Sequence, residues 1–261
     1  MLDLLTFGEA LVEVMRTKIG VPLHLAGEFT GPYPSGAPFI FAVQAARLGA
    51  KAACIGAVGA DAFGRCLLDQ LVEDGVDTRG VHTLEGYTTG VAFVAYNDDG
   101  SRDFVFHARH AAAGQIAPAL IDPALFEGLR CLHIMGSSLS MHDAALAAGW
   151  RALELARRAG AKIGFDPNLR PQLLPVERAR DAFEPFVAAA DVILPTAEEA
   201  QLLTGTSSVE DAIAAALPEA GSGDCADAGC TRMYGVHPAR LGTRPRFPSA
   251  GSRSYRSWRL L

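Results

Sequence analysis

The chain has 261 residues, of which 49% are hydrophobic and 20% are charged, and its net charge at pH 7 is −6. This composition is typical of a folded globular protein and excludes a disordered or collagen-like chain, and the acidic balance argues against nucleic acid as a partner, because proteins that bind it usually carry a basic face. The five sparse cysteines, the lack of an apolar run of about 18 residues and the lack of a secretion signal at the start predict a cytoplasmic protein with no membrane partner.

Strand-like and helix-like segments alternate along residues 1–220. Short apolar runs predict strands, and longer segments with apolar residues at helical spacing predict helices. In chain order these are a strand at 2–7, a helix at 37–48, a strand at 52–55, a helix at 62–73, a hairpin of strands at 90–96 and 102–106, a strand at 131–135, a helix at 143–158, a strand at 162–165, a helix at 176–190, a strand at 192–194 and two helices from 198 and 209. Helices between successive strands require crossover connections, which favour a mostly parallel sheet.

Two segments do not follow this alternation. The segment 27–38 is rich in proline and glycine, and the hairpin turns at residues 97–100, where an Asn-Asp-Asp-Gly sequence is a strong turn signal. Both are predicted to form an antiparallel piece appended to the main sheet.

The composition changes after residue 220. Residues 221–261 contain seven arginines, no lysine and only two acidic residues, and their few aliphatic residues show neither strand nor helix periodicity. Residues 1–220 are therefore predicted to form the folded domain, and residues 221–261 a disordered or out-of-frame tail that does not continue it.

Four polar clusters follow predicted strands or the irregular segment: residues 8–9, 35–36, 166–170 and 196–199. Because functional sites of parallel α/β sheets lie at the carboxyl ends of the strands, these clusters are predicted to share one site. The aspartate, asparagine and arginine at 166–170 suit polyhydroxyl or phosphate groups, and arginine suits anions by its forked geometry. A helix N-cap with a solvated arginine explains the same residues, and both interpretations stay open at this point.

Other motifs weigh against other chemistries. The glycine-rich segment 55–64 is not a dinucleotide fingerprint, so a nucleotide-dependent oxidoreductase is a disfavoured alternative. His107 and His110 would face opposite sides of a flat strand, and Cys225 and Cys230 have no partner pair at zinc spacing. No metal-ligating set is predicted.

A series of sequence blocks carries a family resemblance. The blocks are Ser35-Gly36-Ala37-Pro38, the segments 45–49, 55–64 and 73–78, the triplet Asp166, Asn168 and Arg170, and the segment 193–199. In this order and spacing they resemble the signatures of the ribokinase/pfkB family of carbohydrate kinases over residues 2–217. Residues 8–9 and the triplet are similar to those of 2-keto-3-deoxygluconate kinases and of tagatose- or fructose-type ketohexose kinases.

The resemblance implies a three-layer α/β/α fold with a mostly parallel sheet and a small β lid, formed from about residues 10–35 and 88–112. It implies transfer of the γ-phosphoryl group of ATP to a hydroxyl of a 2-keto sugar or sugar acid, with Mg²⁺. Lids of this family often pair two subunits, so a lid-mediated homodimer is expected.

The resemblance also implies roles for individual residues. Those expected to bind the sugar are Glu9, Gly36, Arg109 and Arg170. Those expected near the nucleotide phosphates and the magnesium waters are Asn168 and Glu199. Two positions depart from the family pattern, which commonly has asparagine where this chain has Ile40 and Thr196.

A larger departure concerns the catalytic base. The family's second signature is not found where it is expected, and residues 221–229 imitate it, with Asp224 in the place of the base. Either an internal deletion brings Asp224 close, or the tail is read out of frame and the C-terminal strands and helices are missing. This chain is therefore expected to be an impaired kinase, with a non-catalytic sugar-binding remnant as the alternative.

Overall fold

The computed structural model describes residues 1–216 and 233–234. In chain order the strands are β1 (Leu4–Phe7), β2 (Leu11–Arg16), β3 (Phe29–Ser35), β4 (Ala52–Gly59), β5 (Asp77–Leu84), β6 (Gly90–Tyr96), β7 (Arg102–His107), β8 (Cys131–Met135), β9 (Lys162–Asp166), β10 (Val192–Ile193) and β11 (Met233–Tyr234). The helices are α1 (Ala37–Arg47), α2 (Ala62–Glu73), α3 (Gly136–Leu139), α4 (Asp143–Arg158), α5 (Val176–Ala189), α6 (Ala197–Thr204) and α7 (Val209–Ala216). Short 3₁₀ helices lie at Ala112–Gln115, Pro118–Leu120 and Pro123–Phe126.

Seven strands form the main sheet in the order β11-β10-β9-β8-β1-β4-β5. The neighbouring strands described in this sheet all pair in parallel. The predicted mostly parallel sheet is thereby confirmed. Parallel pairing brings the carboxyl ends of β1, β8, β9 and β10 to one edge of the sheet, so residues far apart in sequence meet there.

Helices cover both faces of the main sheet. On one face α1 and α2 contribute Phe39, Leu67 and Leu71 to the core. On the other face α4 and α5 pack against the sheet, where Phe183 and Phe186 are fully buried. Burial of such a side chain contributes roughly 1.5–3 kcal/mol. The architecture is therefore the three-layer, ribokinase-like α/β fold that the family resemblance implies.

A separate four-stranded sheet, in the order β3-β2-β6-β7, forms the lid. Its outer pairs β2–β3 and β6–β7 are antiparallel, and of these the hairpin of β6 and β7 is predicted from the sequence whereas strand β2 is not. Its central pair β2–β6 is parallel, which corrects the prediction of a wholly antiparallel piece. The reason is that β2 follows β1 and β6 follows β5, so both strands leave the main sheet in the same direction.

Some elements were not predicted as such. Edge strand β5 has only one buried residue, Gly80, and so lacks the apolar run by which buried strands are recognised. Helix α3 has 4 residues, too few to show helical periodicity. Strand β11 lies within the predicted tail, where no strand was expected, and pairs with β10. Within the described part of the chain, no helix is long and apolar enough to cross a membrane.

Candidate active site

The first polar cluster is built around a buried carboxylate at the end of β1. Glu9 is only 5% exposed, and its carboxylate accepts hydrogen bonds from the hydroxyls of Ser137, at 3.0 Å, and Ser138. Both serines belong to α3, which directly follows β8, the neighbour of β1. Burial raises the pKa of Glu9, although the hydrogen bonds from the two serines act to lower it. Glu9 therefore joins the ends of two central strands.

The second cluster is the loop after β9. The backbone N–H of Asn168 donates to Asp166 Oδ1 at 3.0 Å, which closes a tight turn. Asn168 adopts φ of +40°, a left-handed conformation that asparagine tolerates better than most residues. Among the described residues, its buried Oδ1 atom has no hydrogen-bond partner. Because buried polar atoms are normally paired, this atom is suited to accept a hydrogen bond from a ligand or its bound water.

The third cluster begins α6 and is tied to the second. Thr196 and Glu199 form a capping box, in which Glu199 N donates to Thr196 Oγ1 at 3.2 Å and Thr196 N donates to Glu199 Oε2 at 2.8 Å. The other carboxylate oxygen, Oε1, accepts from Leu169 N at 2.7 Å. Glu199 thereby fixes the loop that carries Asn168. Thr196 makes these bonds in place of the family's asparagine.

The positive charge of Arg170 lies near the carboxylates of these clusters. Arg170 is partly buried and its Nη1 atom donates to Leu169 O at 2.8 Å. Its positive charge acts to lower the pKa of Glu9 and of Asp166. Burial, followed by the charge of Glu199, nevertheless raises the pKa of Asp166 to about 6. The site therefore places one guanidinium among three carboxylates.

This arrangement makes stability depend on pH. In the unfolded chain Asp166 ionises near its ordinary pKa of 3.8, but in the fold only near 6, so ionisation favours unfolding as pH rises between these values. Asp166→Asn removes this cost and can still accept from Asn168 N. We expect the variant to gain about 3 kcal/mol, or roughly 9 °C in Tm, at about pH 8 and nothing at about pH 4.

Thermal melts at both pH values test this expectation. Asp69→Asn, at a side chain that is 71% exposed on α2, is the matched control and should change Tm at neither pH. An equal gain for Asp166→Asn at both pH values would show that charge is not the cause.

A cleft lies between the lid, α1 and α2. It has a volume of about 1090 Å³, and its lining includes Glu13 and Met15 of β2, Ser35 of β3 and Ile40 of α1. Ser35 Oγ donates to Glu13 Oε1 at 2.9 Å. Glu13 was not predicted as a site residue, because the strand that carries it was not recognised. The sequence feature that could have indicated Glu13 is its place as an acidic residue within an otherwise apolar segment, directly after the cluster at residues 8–9.

Gly36 connects the cleft to the buried carboxylate. It precedes α1 with φ of +101°, and a Cβ atom at this position would overlap the carbonyl oxygen of Glu9. The backbone of Gly36 therefore lies directly against Glu9, next to the cleft-lining Ser35.

The predicted site residues are thus only partly brought together. Glu9, Asn168, Arg170 and Glu199 share one edge of the sheet. Arg109 is exposed in the loop after β7, and within residues 1–216 no hydrogen bond or ion pair joins its side chain to this cluster. Asp224 lies outside the described residues.

The sequence also matches known proteins. The profile described as pfkB family carbohydrate kinase matches residues 1–224. The chain belongs to the pfkB family. It is 35% identical over 215 residues to Fructokinase-2 of Solanum lycopersicum, covering 82% of this chain and 65% of that protein. It is 38% identical over 207 residues to Fructokinase-1 of Oryza sativa subsp. japonica, covering 79% of this chain and 64% of that protein.

Two solved structures of proteins named as kinases share this fold. A putative Ribokinase II from E. coli in complex with ATP and Mg²⁺ superposes with a TM-score of 0.77 at 39% identity, covering 83% of this chain and 69% of that one. A 2-dehydro-3-deoxygluconokinase from Thermotoga maritima superposes with a TM-score of 0.71 at 21% identity, covering 79% of this chain and 63% of that one, which supports the fold alone. The chain therefore spans about two thirds of the length of these relatives, from 63% to 69%.

Proposed function

We propose that this chain binds a ketohexose of the fructose type in the cleft beneath the lid and ATP at the adjoining strand ends, for transfer of the γ-phosphoryl group to a sugar hydroxyl. The observation that carries the proposal is the contact between Gly36 and Glu9. It makes the cleft and the charged cluster neighbours, as a reaction between two bound substrates requires.

The charges favour a neutral sugar over a sugar acid. The charge of Arg170 acts to lower the pKa of Glu9 and of Asp166, so protein carboxylates already compete for it. The lining of the cleft contains three carboxylates, of Glu13, Glu73 and Asp74, against two guanidinium groups, of Arg47 and Arg102. A substrate carboxylate would meet these negative charges, whereas sugar hydroxyls can donate hydrogen bonds to them. The similarity to two fructokinases supports the same preference, and tagatose and 2-keto-3-deoxygluconate are the competing acceptors.

The strand-end residues suit a nucleotide with magnesium. The Oδ1 atom of Asn168, unpaired within the described part of the chain, and the carboxylates of Asp166 and Glu199 are acceptors of the kind that hold water around Mg²⁺. Arg170 supplies a donor fork for phosphate oxygens. When bound, ATP with Mg²⁺ supplies the phosphoryl group and neutralises its charge. The residues of this chain orient the reactants and hold the loop after β9 in place.

For the catalytic base, only the sequence supplies an argument, because Asp224 lies outside the described residues. We propose that the reading frame is shifted near residue 221 and that Asp224 is not the family's base. Resequencing the coding DNA across codons 220–224 tests this: one missing or extra base supports the shift. An intact frame overturns it and makes Asp224 the residue to mutate.

Binding and turnover separate the two candidate functions. Calorimetry with D-fructose, D-tagatose and 2-keto-3-deoxygluconate, and ADP release from ATP with each sugar, are the measurements. Fructose-dependent ADP release supports the kinase. Fructose binding without ADP release selects the sugar-binding remnant, which the retained Gly36 and Arg170 favour. Failure of every sugar to bind would contradict both.

Substitution of Ile40 tests directly whether the sugar binds in the cleft beneath the lid. It is 47% exposed and lines the cleft where the family commonly has asparagine. Ile40→Asn supplies a donor and an acceptor, and a new hydrogen bond of about 1 kcal/mol should tighten fructose binding about fivefold. Calorimetry checks this, with Ile40→Leu as the control that adds no polar group. Equal affinities of the two variants would place the sugar elsewhere.

The lid also fits the expected pairing of two subunits. Phe29, Phe93 and Val105 lie on one face of the lid sheet, since Phe29 contacts Phe93 edge-on at 5.7 Å and Phe93 stands opposite Val105. Phe29 and Val105 are 40% and 44% exposed. We propose that a second copy of the chain covers this face, and sedimentation of the chain and of Val105→Asp is the test. A monomer in both cases would contradict it.

A further inference from the structure

The glycine-rich segment that is no dinucleotide site has a definite place in the fold. Gly59 ends β4, and Asp61 caps the N-terminus of α2 by accepting a hydrogen bond from Gly64 N at 2.8 Å. A Cβ atom on Gly59 would overlap Tyr87 O, and one on Gly64 would overlap Gly59 O. The glycines therefore allow the segment that enters the lid to lie directly against the end of β4.

Thr89 is the contact on the lid side. It is 2% exposed and immediately precedes β6, the strand that rises into the lid. Its backbone N donates to Asp61 Oδ2 at 2.7 Å, and its hydroxyl donates to Asp61 Oδ1 at 2.7 Å. The same hydroxyl accepts from Gly59 N at 2.9 Å. Asp61 and Thr89 thus form a fully hydrogen-bonded clamp between the main domain and the lid.

The clamp adjoins both the strand that enters the lid and the segment that returns from it. Directly after Thr89, β6 pairs with β2, so that Gly90 stands opposite Leu11 and Ala92 opposite Glu13 of the cleft. Directly before it, Thr88 O accepts from Ala112 N at 2.9 Å. Ala112 belongs to the segment that returns from the lid and carries Arg109. Displacement of Thr89 would therefore move both the lid strand beside Glu13 and the loop of Arg109.

We propose that Asp61 and Thr89 are positioning residues that fix the lid over the sugar cleft, and that their hydrogen bonds set the affinity for sugar without touching it. This inference rests on the proposed function for its effect on sugar binding. The clamp itself is defined by the geometry of the lid, so it is measurable without any ligand.

The test compares Thr89→Val with Thr89→Ser. Valine keeps the shape and the backbone bond but loses both hydroxyl bonds, whereas serine keeps them all. We expect Thr89→Val to weaken fructose binding about tenfold by calorimetry, with ATP binding unchanged, and Thr89→Ser to stay within about twofold of the original chain. Hydrogen exchange should be about tenfold faster for amides of residues 90–96 and 108–112 in Thr89→Val, and unchanged for β1 and β8.

Each outcome decides between the inference and its alternatives. A lower Tm with unchanged fructose affinity and unchanged lid exchange would overturn the clamp and leave Thr89 a merely structural residue. Equal weakening of fructose and ATP would also overturn it. If the original chain binds no sugar, the proposed function fails, and the lid exchange rates alone decide the clamp. Should Thr89→Val fail to fold, Asp61→Asn keeps the helix cap through Oδ1 and removes the acceptor for Thr89 N, and the same measurements apply.

Discussion

Replacing Arg170 with alanine is expected to weaken fructose binding about 100-fold. Arg170 is the cation that interacts with Glu9 and Asp166. Its removal takes away the positive charge that favours the ionised forms of these two carboxyl groups. The sugar hydroxyls and the phosphate would also lose a forked donor.

Calorimetry with fructose measures this loss, and two further variants sharpen it. Arg170→Lys keeps the charge but not the fork, so its affinity should lie between those of the original chain and Arg170→Ala. Arg178→Ala, on the exposed side of α5, is the matched control and should bind fructose normally. If Arg170→Ala binds as tightly as Arg178→Ala, the site has been placed wrongly.

Gly36→Ala is expected to cost about 4 kcal/mol of folding free energy and to abolish measurable sugar binding. Two effects add: a φ of +101° is unfavourable for alanine by about 1–2 kcal/mol, and its Cβ would overlap the carbonyl oxygen of Glu9. Relief of the overlap must move the start of α1 away from Glu9, which separates the cleft from the charged cluster.

Gly49→Ala isolates the first effect, the strain of a positive φ. Gly49 follows α1 at its other end with a φ of +93°, and no atom of residues 1–216 lies within 4 Å of the Cβ position. Its substitution should cost only the conformational strain of about 1–2 kcal/mol and leave sugar binding intact. Chemical denaturation of both variants gives the difference. Equal losses would mean that the contact between Gly36 and Glu9 contributes nothing.

Local sequence patterns predicted the elements whose partners lie close along the chain. β4 is buried along its whole length, and its apolar run predicted residues 52–55 of it, whereas its glycine-rich remainder up to Gly59 was not predicted as a strand. The turn at residues 97–100 predicted the hairpin of β6 and β7. Edge strand β5 could not be recognised from an apolar pattern because its side chains are mixed in polarity. Strand β2 was missed because its apolar run follows the polar residues 8–9 without a turn signal.

Several residues of the candidate site were predicted from the sequence, but the hydrogen bonds between them were not. Asn168 and Glu199 were named from the family resemblance, yet the bond from Leu169 to Glu199 requires β9 and β10 to be neighbours. The serines that hold Glu9 lie 128 and 129 residues away from it. They follow a predicted strand, so the rule that sites gather at strand ends would have indicated them.

By itself, the sequence determined the alternation of strands and helices, the parallel sheet and the family, because apolar periodicity and motif spacing are properties of short segments. The tertiary structure alone decided that Glu9 is bound by two serines, that Gly36 lies against Glu9 and that Asp61 clamps the lid through Thr89. Those contacts depend on the strand order β8-β1-β4 and on the return of the chain from the lid. Such long-range neighbours are set by the packing of the whole domain, which no local pattern encodes.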